Sequence, residues 1–158
     1  MIQNANEIKP LVQQQLFQID DDLIKTTIEQ ILIEPNKHFR IWENSTTAEE
    51  IECWTIAIDK ENNSSIVYAE LGFGPNHPWG LVSNSSQFVG IDSGWLKNLK
   101  DCFLDSFKAA ELPIWIIEKR VNAEQHEQIA ENITMQQAFE IINKLTTDNK
   151  IYHVLVRK

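Results

Sequence analysis

The sequence is poor in cysteine and glycine, and its glycines are confined to one stretch. Cys53 and Cys102 are the only cysteines, and without C-x-x-C spacing they argue against a disulfide framework or a zinc knuckle. We therefore expect two buried free thiols. The stretch from Tyr68 to Phe107 holds all five glycines: Gly72, Gly74, Gly80, Gly90 and Gly94. Because glycine permits positive φ and close backbone approach, this stretch is predicted to have unusual backbone geometry.

The sequence also lacks long apolar runs and an excess of positive charge. Runs such as Ile114–Ile117 are far below the ~20 residues of a membrane span, and the start, MIQNANEIKP, does not resemble a signal peptide. We therefore expect a cytoplasmic protein with no membrane association. The net charge of −9 disfavours nucleic acid as a partner. It suits a basic protein partner, although acidic surfaces also serve solubility alone.

The apolar pattern predicts a single α+β domain over residues 1–158, with an antiparallel or mixed sheet of about five to six strands covered by helices. Two helices come first. Pro10 is expected in the first turn of a helix through Phe17, and Asp20–Asp22 precede a second helix that Pro35 ends.

Strands follow the helices, and helices and strands then alternate to the end of the chain. Alternating apolar residues predict the strands Phe39–Glu43, Glu50–Asp59, Ile66–Phe73, Trp79–Ser83 and Phe88–Ile91. The remaining elements are a helix from Asp92 or Ser93 to about Ala110, a strand Ile114–Glu118, a helix Thr134–Leu145 and a strand Ile151–Arg157. Residues 120–132 are either a loop or a frayed helix.

Familiar catalytic motifs are incomplete in this chain. Gly72-Phe73-Gly74 lacks the third glycine of a dinucleotide fingerprint, and His126-Glu127 lacks the second histidine of a zinc-protease motif. Ser93 stands one place late for a nucleophile turn, and a helix cap is the better interpretation. We accordingly predict a protein that is not an enzyme and has no cofactor and no metal.

Three groups of residues are candidates for binding. One is a set of carboxylates around a hairpin, which forms either an acidic rim or an ordinary solvated hairpin: Glu49, Glu50, Glu52, Asp59 and Glu61. A second is Glu70, His77 and Asp92, which form a cleft with a general base if they converge; the alternative is a rigid turn. The third is Trp79 and Trp95, core residues by their spacing and partner anchors if exposed.

Two segments of the glycine-containing stretch suggest a family. YAELGFGPNHPWGLV, followed by FVGIDSGWLKNLKDCFLDS, resembles segments of small bacterial immunity proteins of polymorphic-toxin and contact-dependent growth inhibition systems. The resemblance covers roughly Tyr68–Phe107 and rests on a glycine–proline turn with tryptophan and a D-S-G-W helix start. It implies a protein that binds and neutralises a cognate toxin, and it assigns no residues to that task.

The resulting hypothesis is an immunity protein that occludes a basic toxin domain, for example a nuclease, through steric and electrostatic complementarity. Its binding residues are predicted among Glu49, Glu50, Glu52, Asp59, Glu61, Glu70, His77, Trp79 and Asp92. The alternatives are a small enzyme or ligand-binding domain with a site around the Gly72–Gly80 loop, and a structural or adaptor subunit. The sequence leaves the oligomeric state open.

Overall fold

The predicted α+β class is confirmed by the computed structural model of the protein, which describes residues 2–42, 49–70, 76–89, 95–145 and 151–157. Within these residues the helices are α1 (Ala5–Phe17), α2 (Asp22–Ile31), α3 (Leu99–Leu104), α4 (Phe107–Ala110) and α5 (Met135–Leu145). The strands are β1 (Leu32–Ile41), β2 (Glu50–Asp59), β3 (Ser64–Tyr68), β4 (Trp79–Ser83), β5 (Trp95–Leu96), β6 (Trp115–Arg120), β7 (His126–Ile133) and β8 (Tyr152–Val156).

The described strands form two antiparallel sheets, where the sequence predicted one. The first has the order β1-β2-β3-β4-β5, and the second has the order β7-β6-β8. The chain accordingly divides into two compact units, Met1–Ser106 and Phe107–Lys158. The prediction of one domain over residues 1–158 stays a prediction.

Side-chain caps set where the two N-terminal helices begin. The Asn4 side chain accepts a hydrogen bond from the Asn6 N–H (3.0 Å), so α1 begins at Ala5 and Pro10 lies in its second turn, not in the first as predicted. Asp21 accepts from the N–H groups of Leu23 (2.9 Å) and Ile24 (3.1 Å). The prediction that the aspartate triplet caps the second helix is therefore confirmed.

Helix α2 passes into strand β1 without a connecting residue. The helix ends at Ile31 and the strand begins at Leu32, so the predicted helix end at Pro35 is wrong. Pro35 lies inside β1, and a proline is tolerated there because β1 is an edge strand of the five-stranded sheet.

One face of the five-stranded sheet carries a compact apolar core. Alternate residues of neighbouring strands supply it, joined by Val89 from the segment after β4: Cys53, Val67, Ala69, Val82, Val89 and Trp95. Gly80 lets Trp95 approach the sheet closely, because a Cβ atom at this position would lie 3.1 Å from three ring atoms of Trp95. The side-chain-free backbone of Gly80 is therefore part of the packing.

We expect Gly80→Ala to lower the free energy of unfolding by about 1–3 kcal/mol, because the added methyl group forces the indole out of its place. Urea denaturation measures this cost. In a Trp95→Leu background the same substitution should cost much less, since the crowded ring atoms are gone. An equal cost in both backgrounds would contradict the assigned cause.

The segment before Ala110 differs from the single helix predicted from Asp92 or Ser93. Residues 90–94 lie outside the described residues. Trp95 and Leu96 then form β5 and pair with β4, and helix starts only at Leu99, where Asn98 accepts from the Asp101 N–H (2.8 Å). A break at Asp105 and Ser106 separates α3 from α4.

The second unit is built around β6, which pairs with β7 on one side and β8 on the other. Strand β7 occupies most of the polar segment for which the sequence predicted a loop or a frayed helix. Thr134 caps α5 as predicted, since its Oγ1 accepts from the Gln137 N–H (3.2 Å). Trp115 in β6 is buried and donates its indole N–H to the carbonyl of Ala109 (3.1 Å).

Candidate interaction surface

The register of β1 against β2 gathers an aromatic residue and two carboxylates on one face of the first sheet. Phe39 lies opposite Glu52 and Ile41 opposite Glu50, and directly opposed residues of an antiparallel pair point to the same side. The Phe39 side chain is 58% exposed, Glu50 is exposed, and Glu52 and Ile41 are half-buried. We call Phe39, Ile41, Glu50 and Glu52 the β1–β2 surface.

Lys37 borders this surface and neutralises part of its charge. Its ammonium group lies 2.7 Å from a carboxylate oxygen of Glu52 and 5.6 Å from the ring centroid of Trp54. Both contacts hold the Lys37 side chain against the sheet, next to Phe39. No ion pair of Glu50 is present among the described residues, so Glu50 carries the uncompensated charge of the surface.

The predicted acidic rim is divided between the two ends of β2. Glu49, Glu50 and Glu52 lie at its start, whereas Asp59 and Glu61 lie at or beyond its end. Seven residue steps of strand lie between Glu52 and Asp59, which at 3.3 Å per residue separates the two groups by about 23 Å. The choice between an acidic rim and an ordinary solvated hairpin stays a prediction.

Asp59 is a turn residue and not a surface carboxylate. Its exposed fraction is 5%. One carboxylate oxygen accepts from the N–H groups of Glu61 (3.2 Å) and Asn62 (3.3 Å), and the other accepts from the Asn62 side-chain amide (2.7 Å). These bonds close the turn between β2 and β3, so Asp59 leaves the set of candidate binding residues.

Trp79 is a core residue and does not serve as an accessible anchor. Its side chain is 3% exposed and meets the ring of Tyr68 edge to face, with 5.1 Å between centroids. Trp95 is buried as well. Within the strands of this sheet, the exposed aromatic residue is Phe39, which was predicted to lie in a strand but was not among the predicted binding residues. The signal that could have found Phe39 is its position opposite Glu52, and this position is known only from the register of β1 against β2.

The predicted cleft is only partly within the described residues. The carboxylate of Glu70 accepts a hydrogen bond from the backbone N–H of Ile2 (2.8 Å), and His77 is half-buried. Asp92 lies outside the described residues, as do residues 71–75. Convergence of Glu70, His77 and Asp92 therefore stays a prediction. The described residues contain no group of three or more metal-ligating side chains.

Both cysteines are buried free thiols, as predicted. Burial raises the pKa of Cys53 to about 12, against a smaller lowering by the nearby Arg40 cation. Burial also raises the pKa of Cys102, and the charges of Asp105 and Asp101 add to the effect. Neither thiol is poised to act as a nucleophile at neutral pH.

A buried arginine network, which was not predicted from the sequence, joins β1 to the end of β4 and the segment after it. Arg40 is 7% exposed and donates from one guanidinium nitrogen to three backbone carbonyls, those of Ser83 (3.1 Å), Ser86 (2.6 Å) and Phe88 (3.3 Å). Its Nε donates to Nε2 of His38 (3.0 Å). The network ties residues 83–88 onto the edge of the sheet.

The network requires a neutral His38, because Nε2 must keep a lone pair to accept from Arg40. Burial lowers the pKa of His38, a hydrogen bond to the Asn36 carbonyl opposes this, and the Arg40 cation lowers the pKa again. The folded-state pKa therefore lies below the ordinary value of 6.5.

Because folding lowers the pKa of His38, we expect the stability of the protein to depend on pH. Well above pH 6.5 His38 is neutral in both the folded and the unfolded protein, and its contribution to the free energy of unfolding is fully present. As the pH falls below 6.5 the unfolded state takes up the proton first, so stability is lost until the folded-state pKa is passed. Urea denaturation between pH 8 and pH 5 should show this loss. His38→Gln, which still offers an acceptor, should reduce it, and an unchanged pH dependence in that variant would contradict the assignment.

No family model, curated protein or solved structure matches the chain. Within the described residues, no helix has the length and apolar character needed to span a membrane.

Proposed function

We propose that this protein binds a basic protein toxin and neutralises it by covering its active surface, as an immunity protein does. The observation that carries the proposal is the β1–β2 surface, where the exposed Phe39 ring stands beside the carboxylates of Glu50 and Glu52. Aromatic residues dominate interface energetics when a partner buries them, and exposed carboxylates select a cationic counterpart.

The overall charge supports the same kind of partner. A net charge of −9 attracts a basic protein over a distance and accelerates encounter. After docking, Phe39 and Ile41 supply apolar contact, and Glu50 meets a lysine or arginine of the toxin. A typical tight complex covers about 800 Å² on each partner, enough to block a nuclease cleft without chemistry by the inhibitor.

Calorimetric titration with the catalytically inactive toxin domain encoded beside this protein's gene tests the proposal. We expect binding at micromolar concentration or tighter, weaker at high salt because the attraction is partly electrostatic. Phe39→Ala and Glu50→Lys should each raise the Kd about tenfold or more. The absence of binding at micromolar concentrations would refute the proposal.

Two matched substitutions separate the surface from general effects. Phe17→Ala removes a more exposed phenylalanine from the end of α1, and Glu61→Lys makes the same charge change just beyond the far end of β2. Both should leave the Kd within about twofold, since surface changes outside the contact have small effects. If Glu61→Lys weakens binding as much as Glu50→Lys, overall charge and not this surface governs the interaction.

A further inference from the structure

Backbone hydrogen bonding along the outer edge of β1, the edge away from β2, covers the end of the strand and not its middle. Among the described residues, the segment after β4 pairs along this edge with Ile41: the Ile41 N–H donates to the Gln87 carbonyl (2.9 Å), and the Ile41 carbonyl accepts from the Val89 N–H (3.0 Å). The backbone of Ile41 therefore faces away from β2. Since backbone groups alternate in direction along a strand, those of Phe39 and Lys37 face the same way.

Lys37 and Phe39 thus present two N–H groups and two carbonyls along the sheet edge, and no backbone partner takes them within the described residues. Natural proteins protect such edges with proline, bulges, charge or a covering segment. Here Pro35 and the register shift between Leu32 and Asn36 protect the first half of β1, and residues 87–89 cover its end. The charge of Lys37 is already paired with Glu52. No other described segment pairs with the outer edge of residues 36–40.

An apolar cleft lies alongside the first half of the same strand. It has a volume of about 340 Å³ and is enclosed by α1, the start of β1 and one residue of β2: Lys9, Val12, Gln13, Leu32, Ile33, Glu34, Pro35 and Ile56. The Lys9–Glu34 ion pair (2.6 Å) belongs to its wall. A strand added at Lys37 and Phe39 and continued past Pro35 would bring a side chain to this cleft.

We propose that an extended, basic segment of the partner adds to the edge of β1 at Lys37 and Phe39 and places an apolar side chain in the cleft. Main-chain hydrogen bonds supply affinity in this mode, and pockets for alternate side chains supply specificity. Glu50 and Glu52 lie one strand in from this edge, on the face that carries Phe39, and select a lysine or arginine whose long side chain extends from the added strand across β1. A second copy of this chain is a poorer occupant, because each copy carries a charge of −9. The inference rests on the proposed function, whose partner it describes.

Amide hydrogen exchange by NMR tests this directly, with short peptides as probes. In the free protein the Lys37 and Phe39 amides should exchange fast, whereas His38 and Arg40, which face β2, should be protected. A capped peptide of alternating lysine and valine should slow exchange at Lys37 and Phe39 about tenfold or more at millimolar concentration. His38 and Arg40 should change little.

Two matched peptides complete the test. Replacing the lysines by glutamate removes the charge match, and replacing the central valine by proline removes the strand geometry; neither peptide should protect Lys37 or Phe39. The inference is overturned if the basic peptide gives no protection, if all three peptides act alike, or if the amides are already protected through concentration-dependent dimerisation. The calorimetric test of the toxin is independent, so failure there and failure here are distinguishable.

Discussion

Replacing Arg40 with methionine should lower the free energy of unfolding by about 2–4 kcal/mol, because the change leaves buried carbonyl groups without a donor. The three carbonyls belong to Ser83, at the end of β4, and to Ser86 and Phe88, in the segment that follows β4. Methionine fills much of the space of the arginine stem but donates no hydrogen bond. Urea denaturation gives the value.

Lys37→Met is the matched control for this prediction. It also replaces a basic residue of β1 with methionine, but the Lys37 side chain is more exposed and has one carboxylate partner. Exposed ion pairs contribute little, so we expect a loss below about 1 kcal/mol. Similar losses for both variants would contradict the role given to the buried network. Hydrogen exchange of the Val89 amide provides a local readout, since its bond to Ile41 should open more often without Arg40.

Trp79→Ala should destabilise the protein by about 3–5 kcal/mol, because it removes a large buried side chain and leaves a cavity next to Tyr68. Phe17→Ala removes another aromatic ring, 85% exposed, and should change stability by less than about 0.5 kcal/mol. Thermal or urea denaturation of the two variants measures the contrast.

The Trp79 result also bears on function. A core tryptophan affects partner binding only through folding, so the folded fraction of Trp79→Ala should bind the toxin domain with nearly unchanged affinity. If Trp79→Ala keeps its stability but loses binding, Trp79 contacts the partner, and its assignment to the core is contradicted.

Elements with strong local patterns could be predicted from the sequence. The alternation in Glu50–Asp59 gave both ends of β2 correctly, and Trp79–Ser83 matches β4. Capping chemistry at Asp21 and Thr134 located two helix starts, because an N-cap needs only a short side chain next to the first turn.

Elements decided by partners distant in sequence could not be predicted. Trp95 and Leu96 have helical spacing with the residues after them, but pairing with β4 draws them into a strand. Five of the eight residues of β7 are polar and its apolar residues do not alternate, so only pairing with β6 makes it a strand. The same limit hid Arg40, since the carbonyls that it binds lie more than forty residues away.

For the β1–β2 surface, the composition of the sequence shows which charged residues are present, whereas the strand register shows which residues are neighbours. The carboxylates were visible as a group, yet only the pairing of β1 with β2 brings Glu50 and Glu52 to Phe39. A one-residue slip in that pairing would send Phe39 to the opposite face.

The direct joint between Ile31 and Leu32 makes the chain intolerant of length changes at that point. One inserted residue would rotate the buried side of α2 by about 100° or invert every side chain of β1, and no loop is present to absorb the error. Evolution or engineering that lengthens this protein must therefore do so elsewhere. An insertion here would disrupt the packing of α2 and the proposed binding edge of β1 together.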